Sequence, residues 1–230
     1  MNVVLHSSLR SLWEKFRGTL FTLLVVVTIV VIVRTFLFGV YYIPSGSMLN
    51  TLQLGDRIFV SRLHPTLFPL KRGDVVVFRD KNHWIPDDDT SSRSGLLDLI
   101  LGFIEGREPH KLLIKRVIGL PGDRVTCCSE AGRIVVNGRE LDETPYLYDA
   151  TPPASSIVFD VVIPEGRLWV MGDNRNNSAD SRLHIGLPGG GFVPIADVVG
   201  RALLVFWPFG HWKILHNYHD STFKGVSRVS

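Results

Sequence analysis

The chain has 230 residues, 45% of them hydrophobic, with a formal net charge of +3 and a pI near 9.0. Such a length supports a buried core in one domain or two small lobes. Lys and Arg are scattered among acids rather than gathered in runs, which disfavours nucleic-acid binding, and the two cysteines, Cys127 and Cys128, are too few for a disulfide framework.

Residues 1–18 carry Arg10, Lys15 and Arg17 against Glu14. They lead into an apolar run from Thr19 to Val33, then Arg34, then a second apolar piece ending at Ile43. A spanning helix needs roughly 20 apolar residues for a hydrocarbon core of about 30 Å. The first piece is slightly short, so the expectation is one transmembrane anchor over 19–42 that draws on the second. Arg34 would reach an interface along its own stem, and Tyr41 and Tyr42 suit the same boundary. A cleavable signal would end in small residues, whereas aromatic and branched residues follow here; a buried core helix is the other competing reading. The basic flank keeps residues 1–18 in the cytoplasm and puts 43–230 outside. This is a single-pass protein of the plasma membrane on that reading, since ALLVFWPF, Ala202 to Phe209, is too short to cross.

From Arg57 onward, short β-branched runs alternate with turn signals: RIFVSRL, DVVVF, KLLIKRVIGL, DRVTCC, RIVVNG, SIVFDVVI, RLWVMG and VVGRALLVFW. They read as strands of an antiparallel, mostly β domain, with Pro121-Gly122-Asp123 and Asn137-Gly138 as turns. The pattern lapses over 80–110, which reads as an insertion. Asp87, Asp88 and Asp89 lack the spacing of a calcium loop, and Leu96 to Ile104 suits a short helix on the core or on lipid. Cys127 and Cys128 read as free thiols on a strand, because a bond between neighbours closes a strained ring; a vicinal disulfide is the lesser alternative. His211, His216 and His219 have no partners in a metal-ligand pattern and read as surface residues. No cofactor or metal is expected.

Four stretches remain: IPSGSMLNTLQLGD from Ile43, GDVVVF from Gly73, IKRVIGLPGD from Ile114 and MGDNRNNSADSR from Met171. Each alone is a common loop or strand. Together, in this order behind an apolar N-terminal segment, they resemble the type I signal peptidases, a family of membrane-bound proteases with a Ser-Lys dyad. The resemblance implies Ser47 as nucleophile and Lys115 as general base. It further implies that the Ser47 N–H and the Ser45 hydroxyl form an oxyanion hole, that Ser178 hydrogen-bonds Lys115, and that Asp180 and Arg182 give structural support. Leu52 and Ile114 would line narrow pockets for small side chains. Asn50 stands where the family commonly has proline and Asn176 where it often has aspartate. The first makes the loop's rigidity less certain; the second removes one possible ion pair.

The chemistry is consistent with that resemblance on independent grounds. A serine hydroxyl needs a base, and no histidine here sits in a motif with a carboxylate. Strand alternation puts Leu113, Lys115 and Val117 on one face, where lost hydration lowers a lysine pKa. Arg116 faces the other way, and a guanidinium keeps its proton. A strand lysine reaching water is the bland alternative. Ser47 lies four residues past Ile43, within roughly 14 Å of the anchor's end at full extension, so the expected substrate is a signal peptide of a secretory precursor, cut after small residues at an A-x-A-like site, close to the bilayer and the export machinery. A self-cleaving Ser-Lys regulator would carry a DNA-binding module in place of the anchor. A silent tethered β domain that binds exported chains would have no need of Ser47, Lys115 and Ser178 together.

Overall fold

The computed structural model describes residues 2–33, 37–85 and 111–227. Two compact units divide the chain, Met1–Phe38 and Gly39–Ser230. The first holds helix α1 (Asn2–Ile32). Its apolar side chains are exposed wherever they are described, Phe21 to 68% and Leu24 to 62%. Among the described residues no helix is long and apolar enough to cross a membrane. The expected anchor over 19–42 is corrected at its far end: Phe38–Tyr42 is strand β1, with Gly39 and Tyr41 buried. Alternating burial, together with the aromatic side chains that favour a pleated surface, takes this piece into the sheet and away from the helix.

The second unit is mostly antiparallel β. Its strands are β2 (Arg57–Ser61), β3 (Val75–Arg79), β4 (Leu112–Gly119), β5 (Arg124–Cys127), β6 (Ile134–Val136), β7 (Arg139–Glu140), β8 (Phe159–Val162), β9 (Arg167–Met171), β10 (Val193–Pro194), β11 (Val198–Trp207) and β12 (Lys213–Ile214). Each β-branched run read from the sequence contains one of them; the short β7, β10 and β12 were not legible as runs. One sheet is ordered β1-β2-β11-β3-β4-β9-β10 with β12 on β11, and a second β7-β6-β5-β8. The Asn137-Gly138 turn takes positive φ at both residues (51° and 78°), the geometry that joins β6 to β7 as a tight hairpin.

Strand β4 is the centre of the arrangement. Pairing to β3 on one side and β9 on the other buries its backbone in both directions, so every residue from Leu113 to Gly119 is buried. Leu113 and Val117 pack with Val76, Val170 and Leu168 in one apolar group, and Ile114 joins Met48, Leu52 and Val60 in another. Residues 86–110, with the Asp87 to Asp89 run and the Leu96 to Ile104 helix expectation, lie outside the described residues. Beyond the β3–β4 ladder the Asp80 N–H donates to Lys111 O (2.8 Å). The structure records a disulfide between Cys127 and Cys128, which corrects the expectation of free thiols. His211 is also not a free surface residue, since its Nδ1 sits 2.8 Å from Oδ1 of the fully buried Asp56.

A buried ion pair ties the two sheets together. Arg72, just before β3, grips Asp123, just before β5, with Nε and Nη2 at 2.7 and 2.6 Å, and its Nη1 donates to Val226 O. Asp123 also accepts from the Leu120 N–H and from Asn137. Burial alone would raise its carboxyl; the bonds from Arg72, Leu120 and Asn137 outweigh it and hold the group below the usual range. Removing one partner strands a buried charge, so Arg72→Met is expected to cost about 3–5 kcal/mol, read by urea unfolding. A change under 1 kcal/mol would mean that the sheets are held elsewhere.

Candidate active site

Ser47 lies in a turn between β1 and β2 that Met48 and Leu52 anchor, both 0% exposed. The Leu52 N–H closes the turn onto Met48 O (2.7 Å), and Ile43 and Gly55 bond across its base. These contacts hold the hydroxyl over β4. Lys115 Nζ reaches Ser47 Oγ at 2.8 Å and Ile114 O at 3.0 Å. Lys115 is 3% exposed, and its opposite number on β3 is Val76. Desolvation is the dominant influence and pushes the amine down to about 8, against the opposing fields of Asp180 and Asp173.

Both of those carboxylates are already committed. Asp173 receives Arg116 Nε and Nη2 at 2.8 and 2.6 Å, and the Thr51 hydroxyl bonds the same carboxylate. Asp180 receives Arg182 Nε and Nη2 at 2.9 and 2.8 Å and the Gly172 N–H at 2.9 Å. Burial would raise Asp180; Arg182 and these bonds hold it below the usual carboxylate range, so it stays ionised against its own arginine. A second buried pair lies beside them, Arg175 with Glu143 at 2.5 and 3.0 Å. Tyr146 donates to the same Glu143, and the Arg116 guanidinium lies 4.2 Å from the centre of the Tyr146 ring.

The remaining candidates divide. Ser45 is exposed, and its Oγ sits 3.5 Å from Ser47 Oγ. The Ser47 N–H has no acceptor among the described residues. Ser178 is brought beside the pair but does not bond Lys115: its Oγ is buried without a hydrogen-bond partner, packed where a Cβ on Gly172 would stand (2.2 Å). That corrects the expected Ser178 to Lys115 bond. Leu52 and Ile114 are buried in one apolar group with Met48, at 0% and 9% exposure.

Three residues that hold the turn carry no role in the sequence reading. Asn174 and Asp173 sit in the Gly-Asp-Asn turn after β9, and Thr51 in the turn itself; their polar type inside matched stretches was the available signal. Asn50 adopts φ +76° and donates from Nδ2 to Leu147 O at 3.0 Å. Proline is locked near −65°, so rigidity here comes from the asparagine bond.

A serine hydroxyl beside a buried lysine amine on an antiparallel β domain is an arrangement that suits a hydrolase with a serine nucleophile. The family model for signal peptidases of the peptidase S26 group matches residues 16–207. Signal peptidase I of Mycobacterium tuberculosis is 38% identical over 231 residues, covering 87% of this chain and 77% of that protein. Probable signal peptidase I-2 of Synechocystis sp. is 37% identical over 187 residues, covering 81% and 71%, and signal peptidase I of Bacillus licheniformis is 31% identical over 194 residues, covering 81% and 86%. The chain belongs to the peptidase S26 family of signal peptidases and is a serine protease.

Gly172 offers a sharp test of the geometry. A Cβ there would lie 2.6 Å from Ser47 O as well as against Ser178, so Gly172→Ala must push the Ser47 backbone. The expected result is a fall in kcat/KM of about 100-fold with an overpacking cost of about 1–3 kcal/mol, measured by peptide cleavage and thermal unfolding. Normal turnover in this variant would contradict the close approach.

Proposed function

We propose that this protein removes N-terminal signal peptides from exported precursors by a Ser47–Lys115 dyad, cutting after small residues at an A-x-A-like site. The observation that carries the reading is the 2.8 Å contact between Ser47 Oγ and a lysine amine lowered to about 8. With its proton gone, Lys115 accepts the Ser47 proton as Oγ adds to the scissile carbonyl. The negative oxygen that forms faces the unpaired Ser47 N–H and the Ser45 hydroxyl. Lys115 then passes the proton to the leaving amine, which frees the mature chain, and the signal peptide stays on Ser47 as an ester. Water, activated by the same amine, hydrolyses it.

Asp180 and Arg182 act as support by holding Gly172 and the loop around Ser178. The small-residue preference follows the substrate class, with Leu52 and Ile114 as the residues proposed to line the narrow pockets.

Work at a lipid surface is part of the proposal. α1 exposes apolar side chains around its length, and the β-domain exposes Trp207, Phe209, Trp212 and Ile214 at 45%, 77%, 58% and 56%. Tryptophan with neighbouring apolar residues suits the interfacial region of a bilayer. The basic flank before Thr19 favours a cytoplasmic N-terminus with the protease domain on the outer side of the plasma membrane, near the export machinery that delivers the precursors.

The test is the pH profile of cleavage of a detergent-solubilised precursor. Below about 8 Lys115 holds its proton and cannot act; as pH rises through that value the neutral amine appears, so kcat/KM should climb along an acid limb centred near 8. Lys115→Met should fold and lose activity by about 10²–10⁴-fold, and Lys115→Arg should fail equally. An acid limb near 4, or an active Lys115→Arg, would make another group the base.

A further inference from the structure

The structure assigns Asn174 as the positioning residue that aims the oxyanion donor, an inference that rests on the proposed Ser47–Lys115 reading. Asn174 is 6% exposed and donates to two backbone carbonyls, those of Gly46 and Ser47. Its side-chain Nδ2 donates to Gly46 O at 3.0 Å, and its backbone N–H donates to Ser47 O at 3.1 Å.

Those two carbonyls belong to the two peptide groups that flank the Ser47 Cα. A peptide is planar, and in the trans form its C=O and N–H point in opposite directions; the Gly46–Ser47 bond is not among the cis peptides of the chain. Holding Gly46 O on one side therefore directs the Ser47 N–H out of the other. Holding Ser47 O fixes the following plane, so one residue acts on both peptide planes at Ser47, while the Leu49 N–H adds a bond to Gly46 O at 3.2 Å. The fixed N–H is the same one that has no acceptor among the described residues.

Among the described residues no other donates to both carbonyls. Gly172, two residues before Asn174, comes close enough to Ser47 O to exclude a Cβ, which accounts for the tightness of this turn against the nucleophile. Asp173, between them, is held by Arg116 and Thr51, so the peptide carrying Asn174 is anchored before it reaches Ser47. Asn174 does not touch Lys115 in any hydrogen bond, so its effect is separable from the base.

The experiment compares wild type with Asn174→Ala and Asn174→Asp, the second keeping shape but replacing the donor by an acceptor. Three readings are taken on the full chain in detergent: kcat and KM on a precursor, inhibition by a peptide aldehyde ending in alanine, and thermal unfolding. The aldehyde carbon takes the Ser47 Oγ, and its oxygen occupies the oxyanion position. Expected are a fall in kcat of about 10- to 100-fold for Asn174→Ala, below the roughly 10²–10³ seen when a donor is removed outright, a KM within about twofold, and an equal loss of aldehyde affinity. The acid limb of Asn174→Ala should stay where wild type has it, as a loss confined to folding or to the base would not arrange. Unchanged kcat, or a lower kcat with unchanged aldehyde affinity, would overturn the assignment, and so would failure of both variants to fold. Ser47→Ala separates the two levels: if it stays active the dyad reading falls, whereas an inactive Ser47→Ala beside fully active Asn174 variants removes the present inference alone.

Discussion

A lysine ammonium with 3% of its surface exposed, under a serine hydroxyl, is the constraint on which the rest of this domain depends. Taking Lys115 from an ordinary 10.5 to about 8 corresponds to about 3 kcal/mol of disfavoured charge. The sign is definite: below 8 the charged amine is a burden on the fold, and between 8 and 10.5 the unfolded chain binds more protons, so that burden is relieved as pH rises. Central placement of β4 makes the cost tolerable, because the apolar neighbours that strip water from the amine also supply the core.

Two carboxylates close to that amine would by themselves hold its proton and defeat the chemistry. The fold prevents this by giving each its own arginine: Asp173 to Arg116, Asp180 to Arg182. Each pair is nearly neutral as seen from Lys115, and desolvation prevails. The same pairs do mechanical work. Arg116 follows Lys115 in sequence and reaches Thr51 of the nucleophile turn, so strand and turn share one clamp. Glu143, Arg175 and Tyr146 extend that clamp into the segment after β7, with Arg175 Nε reaching Gly172 O.

Much of this was legible in the sequence for local reasons. The β-branched runs fixed most strands and Asn137-Gly138 fixed its hairpin, whereas Ser47 and Lys115 were singled out only by four stretches taken together, since a Ser-Gly-Ser loop or a strand lysine alone is ordinary. What escaped depends on three-dimensional closure. Phe38–Tyr42 has the apolar content of a membrane segment and becomes a strand only because β2 is there to pair with it. The burial of Leu52 beside Met48 depends on how its turn folds back on the sheet. Asn174 is an ordinary turn residue until β9 delivers it to Gly46, 128 positions away. The arginine partners of Asp173 and Asp180 differ in the same way: Arg182 is two residues from Asp180, whereas Arg116 is 57 from Asp173.

The central claim is the state of one amine, and it can be observed without any substrate. Protein carrying labelled lysine would be titrated in detergent micelles by NMR, following the Lys115 side-chain signal, assigned by its absence in Lys115→Met, as a function of pH. The account predicts a midpoint near 8. A midpoint at the ordinary lysine value of about 10.4 would contradict it, because the amine would then be solvated and protonated wherever the enzyme works.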